Sequence, residues 1–217
     1  RISKEEAKKV IDKCLEVGIN FIDTARAYTV SEEFIGYAIK GNRDKWILAT
    51  KSPAKTYADM KRDIETSLRN LQTDYIDLYQ LHNPKGEGVM DQILAEDGAY
   101  KALLDAKKEG KIGHIGITNH SADFSLEAIK DNLFETIQFP YNPIENLGEE
   151  KLFKKAAELD MGIIAMKPIA GGAFNADLSL KYILNNPLVT TAIPGMDSIE
   201  QVIKNSSIGI NLQPLTE

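Results

Sequence analysis

Seven short apolar stretches begin near residues 20, 46, 75, 112, 135, 162 and 189, each followed by a segment of helical periodicity. The step is about 28 residues, enough for one strand, one helix and two short connections. The stretches are largely apolar on both faces, as expected of strands buried on both sides of a parallel sheet covered by helices. Seven consecutive units point to an α/β chain with a (β/α)8 barrel fold, for which about 250 residues is typical. The count is one strand short. A helix precedes the first visible strand, so the missing strand is expected upstream of Arg1. The rival open, doubly wound sheet opens on a Gly-x-Gly-x-x-Gly turn, and the chain has none. The whole of 1–217 reads as a single barrel-like domain.

Along the chain, Ser3 reads as an N-cap with Glu5 and Glu6 in the first turn of a helix that Gly18 stops. Strands are expected over 20–24, 46–51, 75–81, 112–118, 136–139, 162–167 and 189–193. Helices are expected over 31–40, 57–71, 100–109, 123–130, 149–159, 177–185 and 198–205. Met60, Ile64, Leu68 and Leu71 fall on one face of the second of these. Residues 86–97 have irregular polarity and read as a loop with at most a turn of helix.

The net charge of −6 argues against a nucleic-acid partner, which requires a basic face. The single Cys14 leaves no disulfide framework and no cysteine cluster for iron–sulfur or zinc, and fits a reducing cytoplasm. No apolar run reaches the roughly 20 residues needed to span a bilayer.

In parallel barrels the chemistry gathers at the carboxyl ends of strands. Here those ends carry Asp23, Lys51, His82, Thr118, Asn119, Gln138, Lys167, Pro194 and Gly195. Tyr28 follows Asp23 by five residues, on the loop into the next helix. Several ionisable groups meeting at one rim carry weight that no single one does. A lysine paired with Asp23 is expected to favour the phenolate of Tyr28 and lower its pKa, about 10 when unperturbed. Such a phenol exchanges protons with a carbonyl oxygen that His82 also reaches. No side chain supplies a hydride, so a nicotinamide is required.

Asp23-Thr24-Ala25 with Tyr28, Ala49-Thr50-Lys51 and Leu81-His82 resemble the Asp/Tyr/Lys/His tetrad of the aldo-keto reductases. Gly116-Ile117-Thr118-Asn119-His120, Gln138-Phe139-Pro140-Tyr141-Asn142, Ala165-Met166-Lys167-Pro168 with Gly171-Gly172, and Ile193-Pro194-Gly195-Met196 follow in that family's order. The resemblance covers nearly the whole chain. It implies an NAD(P)H-dependent reductase of an aldehyde or ketone, with Tyr28 as general acid, Lys51 and Asp23 tuning it, and His82 orienting the carbonyl. Thr118, Asn119 and Gln138 are implied to hold the nicotinamide carboxamide, with Met166 covering the ring. Pro168, Gly171 and Gly172 are implied near the pyrophosphate. Pro194, Gly195, Met196 and Ser198, with Gln201 and Asn205, are implied at the adenosine end. The family's first strand and N-terminal hairpin are missing. Many NADPH-preferring relatives place Lys and Ser where Gly195 and Met196 stand, which leaves the choice between NADPH and NADH open; NADPH is the expected donor. The expected partner is a small carbonyl compound; oligomeric state is not legible. Two other functions compete. One is a non-catalytic nucleotide-binding regulatory subunit on the same fold. The other is a Schiff-base enzyme using Lys51, which leaves Tyr28 without a role. Thr118 and Asn119 have a plainer reading as helix caps, and His114 and His120 as structural residues.

Overall fold

Parallel strands alternate with helices through the computed structural model, which describes residues 2–146, 149–169 and 175–213. Two compact units divide the chain: Arg1–Glu16 with Asn20–Thr118, and Val17–Ile19 with Asn119–Glu217.

The first unit holds β1 (Phe21–Asp23), β2 (Ile47–Ser52), β3 (Ile76–His82) and β4 (Ile112–Thr118), paired in parallel in chain order. Around them lie α1 (Lys4–Glu16), α2 (Ser31–Ala38), α3 (Tyr57–Leu71), α4 (Val89–Leu94) and α5 (Ala99–Lys108). The start of α1 is a reciprocal capping box. The Ser3 hydroxyl accepts from Glu6 N, and the Glu6 carboxylate accepts from Ser3 N. The predicted stripe on α3 (Met60, Ile64, Leu68 and Leu71) is buried, and Thr56 caps that helix by accepting from Asp59 N.

Two contacts fix the amino-terminal side of this sheet and the seat of α2. Arg43 donates to Asp77 Oδ2 at 2.7 Å and to the Trp46 carbonyl at 2.8 Å, while Asp77 Oδ2 accepts from Leu48 N. Gly36 of α2 lies directly against the end of α3. A Cβ there would stand 2.4 Å from Asn70 O and 2.6 Å from the Leu71 carbonyl carbon, so only glycine permits this approach.

The second unit holds β5 (Thr136–Pro140), β6 (Gly162–Met166) and β7 (Thr191–Ile193), again parallel in chain order. Its helices are α6 (Ala122–Ile129), α7 (Lys154–Glu158), α8 (Ala176–Leu184) and α9 (Ile199–Ile210). Seven strands are thus present among the described residues, as counted from the sequence.

The departures are local. Residues 86–97 contain α4, because Val89 and Ile93, four apart, bury the same helical face. The helix expected over 149–159 is a π turn, Glu149–Phe153, running into α7. The successive residues Leu152 and Phe153 both enter the core, and the Phe153 ring meets Phe139 and Tyr141 edge-on. The last helix runs five residues past its expected end at Asn205, since Ile208 is buried beside the stripe begun by Val202.

Candidate active site

The strand β1 is short, but its pairing with β2 continues into the following loop. Thr24 N donates to Ala49 O and Arg26 N to Lys51 O, each at 2.9 Å. This extension carries the chain past Asp23 with Thr24 and Ala25 buried. A tight turn follows, with Tyr28 N on Ala25 O, Ser31 N on Tyr28 O, and Thr29 in the left-handed region at φ 48°. Tyr28 is thereby presented at the carboxyl end of the strands with 46% of its surface open.

Lys51 and Gln80 are register partners on β2 and β3, so both side chains leave the same face of the sheet. Both reach Asp23. Lys51 Nζ donates to Asp23 Oδ2 at 2.6 Å, and Gln80 Nε2 lies 3.4 Å from Asp23 Oδ1. Lys51 is only 1% exposed, and it also donates to the Thr24 carbonyl at 2.7 Å. Its ammonium stands 5.1 Å from the centre of the Tyr28 ring, within cation–π range. His82 ends β3, and its ring meets that of Tyr28 edge-to-face at 5.8 Å between centroids. Four side chains from three strand ends therefore converge within the first unit.

The electrostatics correct one expectation. The Tyr28 pKa is raised, not lowered, first by withdrawal from water and then by the Asp23 charge. Two of the three Lys51 donors go to Asp23 and Thr24, so Asp23, not the phenolate, receives the ammonium's hydrogen bonds. Burial also lowers the Lys51 pKa, against the opposing pull of Asp23. Tyr28 is held as a neutral phenol, and no hydrogen bond of its hydroxyl is present among the described residues.

Asn83, just after His82, adopts φ 54°, and its backbone N donates to Thr118 O and Thr118 Oγ1. Its Oδ1 is buried with no partner among the described residues. An unmet acceptor beside Thr118 suits a ligand that brings an amide N–H.

The cofactor-side residues of the second unit fall into two groups. Asn119 and Gln138 are buried and adjacent, with Asn119 N donating to Gln138 O at 3.2 Å, and Gln138 Nε2 meets Met166 Sδ at 3.8 Å. The capping role considered for Asn119 falls instead to Ser121, whose hydroxyl accepts from Phe124 N at the start of α6; Asn119 Oδ1 accepts from His120 N and Ser121 N in the turn before it. Pro168 lies in the turn after β6, and Pro194, Gly195 and Met196 in the irregular stretch after β7. Ser198 caps α9 by accepting from Gln201 N, while Gln201 Oε1 accepts from Asp197 N; Asn205 lies further along that helix. Gly171 and Gly172 lie outside the described residues. Lys167 Nζ is 3.5 Å from His120 Nδ1.

Sequence reading missed Arg26, Glu32 and Asn83, and gave Gln80 no role. Gln80 left a visible signal, a polar residue inside an apolar strand. Arg26 and Glu32 left none, because charges beside a helix start usually face solvent. Among the described residues no cluster of His, Cys, Asp and Glu could hold a metal ion, and no helix is long and apolar enough to cross a membrane.

The fold is of the (β/α)8 barrel class, with seven of its strands present among the described residues, and the strand ends of the first unit gather a phenol, an ammonium, a carboxylate and an imidazole. The Aldo/keto reductase family model matches residues 1–177, and the chain belongs to that family. It is 28% identical to the uncharacterized oxidoreductase YqkF of Bacillus subtilis, over 99% of this chain and 85% of that protein. It is 33% identical to the aldo-keto reductase YhdN of the same organism, over 80% of this chain and 55% of that one. Among solved structures, the holo form of an aldo-keto reductase from Bacillus halodurans superposes with a TM-score of 0.84 at 28% identity, covering 99% of this chain and 84% of that one. An aldo/keto reductase from Klebsiella pneumoniae, solved with NADP and acetate, gives a TM-score of 0.82 at 25% identity, covering 98% and 82%.

Proposed function

We propose that the chain reduces an aldehyde or ketone to the alcohol with NADPH, NADH being the alternative donor, and that Tyr28 is the general acid. The observation that carries this reading is the convergence of Tyr28 and His82 over the Lys51–Asp23 ion pair. Bound nicotinamide supplies the hydride. Tyr28 holds a proton at its hydroxyl and gives it to the carbonyl oxygen as that oxygen gains charge; solvent then reprotonates Tyr28. His82 orients the carbonyl by a hydrogen bond to the same oxygen. Asp23 holds Lys51, whose positive charge beside the ring stabilises the phenolate left after transfer.

Thr118, Asn119 and Gln138 are the proposed holders of the nicotinamide carboxamide, and the unmet Asn83 acceptor supports an amide-bearing ligand. Met166, Pro168, Gly171 and Gly172, then Pro194, Gly195, Met196, Ser198, Gln201 and Asn205, are the proposed contacts along the rest of the dinucleotide. The NADP of the Klebsiella relative supports the choice of donor. A cytoplasmic location belongs to the same proposal.

The test is Tyr28→Phe, assayed with NADPH and an aldehyde alongside a fluorescence titration of NADPH. Turnover is expected to fall by about 10²–10⁴-fold while NADPH affinity stays. Full turnover in that variant overturns the role of Tyr28. NADPH binding without turnover in the unaltered protein would instead favour a regulatory nucleotide-binding subunit.

A further inference from the structure

Behind the site, on the outer face of the same strands, lies a second charged cluster. Glu32, the second residue of α2, is 1% exposed. Its carboxylate accepts from Thr50 Oγ1 at 2.8 Å, Ser67 Oγ at 2.7 Å, Asn70 Nδ2 at 3.2 Å and Arg26 Nη1 at 2.5 Å. Ser67 Oγ in turn lies 3.2 Å from the hydroxyl of buried Tyr79. Thr50 and Tyr79 are register partners, as are Lys51 and Gln80. Strand alternation therefore sends one pair to the Asp23 side and the next pair to the Glu32 side.

Arg26 joins the two clusters. It sits two residues before Tyr28, its backbone N donates to Lys51 O, and its guanidinium is fixed on Glu32. Stability is a weak reason for such a pair. Taking two charges out of water is costly, and the Arg26 Nε is buried with no partner among the described residues. What the pair does is mechanical. It anchors the segment between Asp23 and α2 to β2 and α3, and that segment carries Tyr28.

We propose that Arg26 and Glu32 are positioning residues. Their ion pair holds the Tyr28 loop so that the phenol stays over Lys51 and beside His82. This rests on the reading of Tyr28 as the general acid. A general acid displaced by about 1 Å can cost about 10²-fold in rate, so a clamp two residues away acts on turnover more than on binding.

The test compares Arg26→Met, Arg26→Lys, Tyr28→Phe and Arg43→Met in the full chain, using NADPH and para-nitrobenzaldehyde. Arg43→Met breaks a separate, partly buried ion pair of this unit, at the amino-terminal side of the sheet, and serves as a control for stability loss. Arg26→Met is expected to lower kcat by about 10- to 100-fold with the KM for NADPH unchanged. It should also speed amide hydrogen exchange in peptides over 24–31 and leave those over 99–108 as they were. Arg26→Lys should recover most of kcat, and Arg43→Met should lower the unfolding midpoint while keeping kcat. If Arg26→Met does not fold, Thr50→Val removes one donor to Glu32 and must lower kcat at constant KM. An inactive Tyr28→Phe together with wild-type kcat and exchange in the Arg26 variants, or in Thr50→Val, overturns the clamp alone. Full turnover in Tyr28→Phe overturns the general-acid reading instead, and the exchange data then decide whether the loop is clamped.

Discussion

The rings of Tyr28 and His82 meet edge-to-face, perpendicular to one another, with centroids 5.8 Å apart. This places the imidazole beside the phenol, where one substrate oxygen could bond to both. His82→Leu keeps an apolar contact and removes the donor. It is expected to lower kcat on the order of 10²-fold, the usual effect of deleting one donor to a developing oxyanion. Steady-state kinetics at saturating NADPH check this, and an unchanged rate contradicts the role.

The direction of the Tyr28 shift sets a pH profile. The phenol's pKa is raised above the tyrosine value of 10.0 by burial and by Asp23. The protonated form is the proposed acid; it persists through neutrality and is lost only as pH climbs through the raised pKa. Carbonyl reduction should be flat from about pH 6 to about pH 9 and fall above about pH 10, given the ordinary tyrosine range. Alcohol oxidation, which needs the phenolate, should rise with pH over the same span. A reduction rate falling near about pH 7 to 8 would show that a different group is the acid.

The Asp23–Lys51 pair is nearly dry, with side chains 9% and 1% exposed. Asp23→Asn leaves a buried ammonium without its counter-charge, and Lys51→Met leaves a buried carboxylate without its own. Each single change should cost roughly 3–5 kcal/mol of unfolding free energy. The double variant should cost less than the sum, since neither charge is left alone. Urea titrations of the three variants measure the coupling, and strict additivity would mean that the pair is not a unit.

Two glycines predict opposite signs. Gly36→Ala drives a methyl to 2.4 Å from Asn70 O and should destabilise by about 1–3 kcal/mol through overpacking. Gly209 lies inside α9, with no atom within 4 Å of a built Cβ. Gly209→Ala should stabilise by about 0.5–1 kcal/mol through helix propensity. Unfolding midpoints of the two variants should move in opposite directions.

The strand–helix period was legible because parallel strands leave continuous apolar runs, and every strand found in the structure lies within two residues of its expected start. The convergence of Asp23, Tyr28, Lys51 and His82 was legible because strand ends are few and theirs are polar. The direction of the Tyr28 shift was not, because it depends first on how far the phenol is withdrawn from water and then on its closeness to the Asp23 charge, and spacing encodes neither. The Arg26–Glu32 pair was hidden for a related reason. Whether an acidic residue at a helix start faces water or a neighbouring helix depends on how closely α2 approaches α3, and a single Gly36 in the chain does not announce that contact. The length of α9 was underestimated because its exposed residues dilute the periodic signal after Asn205.

Thr50 and Lys51 are neighbours in sequence and serve opposite sides of the sheet. A slip of β2 by one position would send the ammonium into the layer that holds Glu32 and a hydroxyl into the mouth that holds Asp23. Each carboxylate would then face the wrong group, so misaligned pairings of this strand carry an electrostatic penalty as well as a packing one. The charges proposed to serve proton transfer thus also favour one alignment of the strand. Length changes in the connections on either side of β2 should be tolerated far better than any insertion within it.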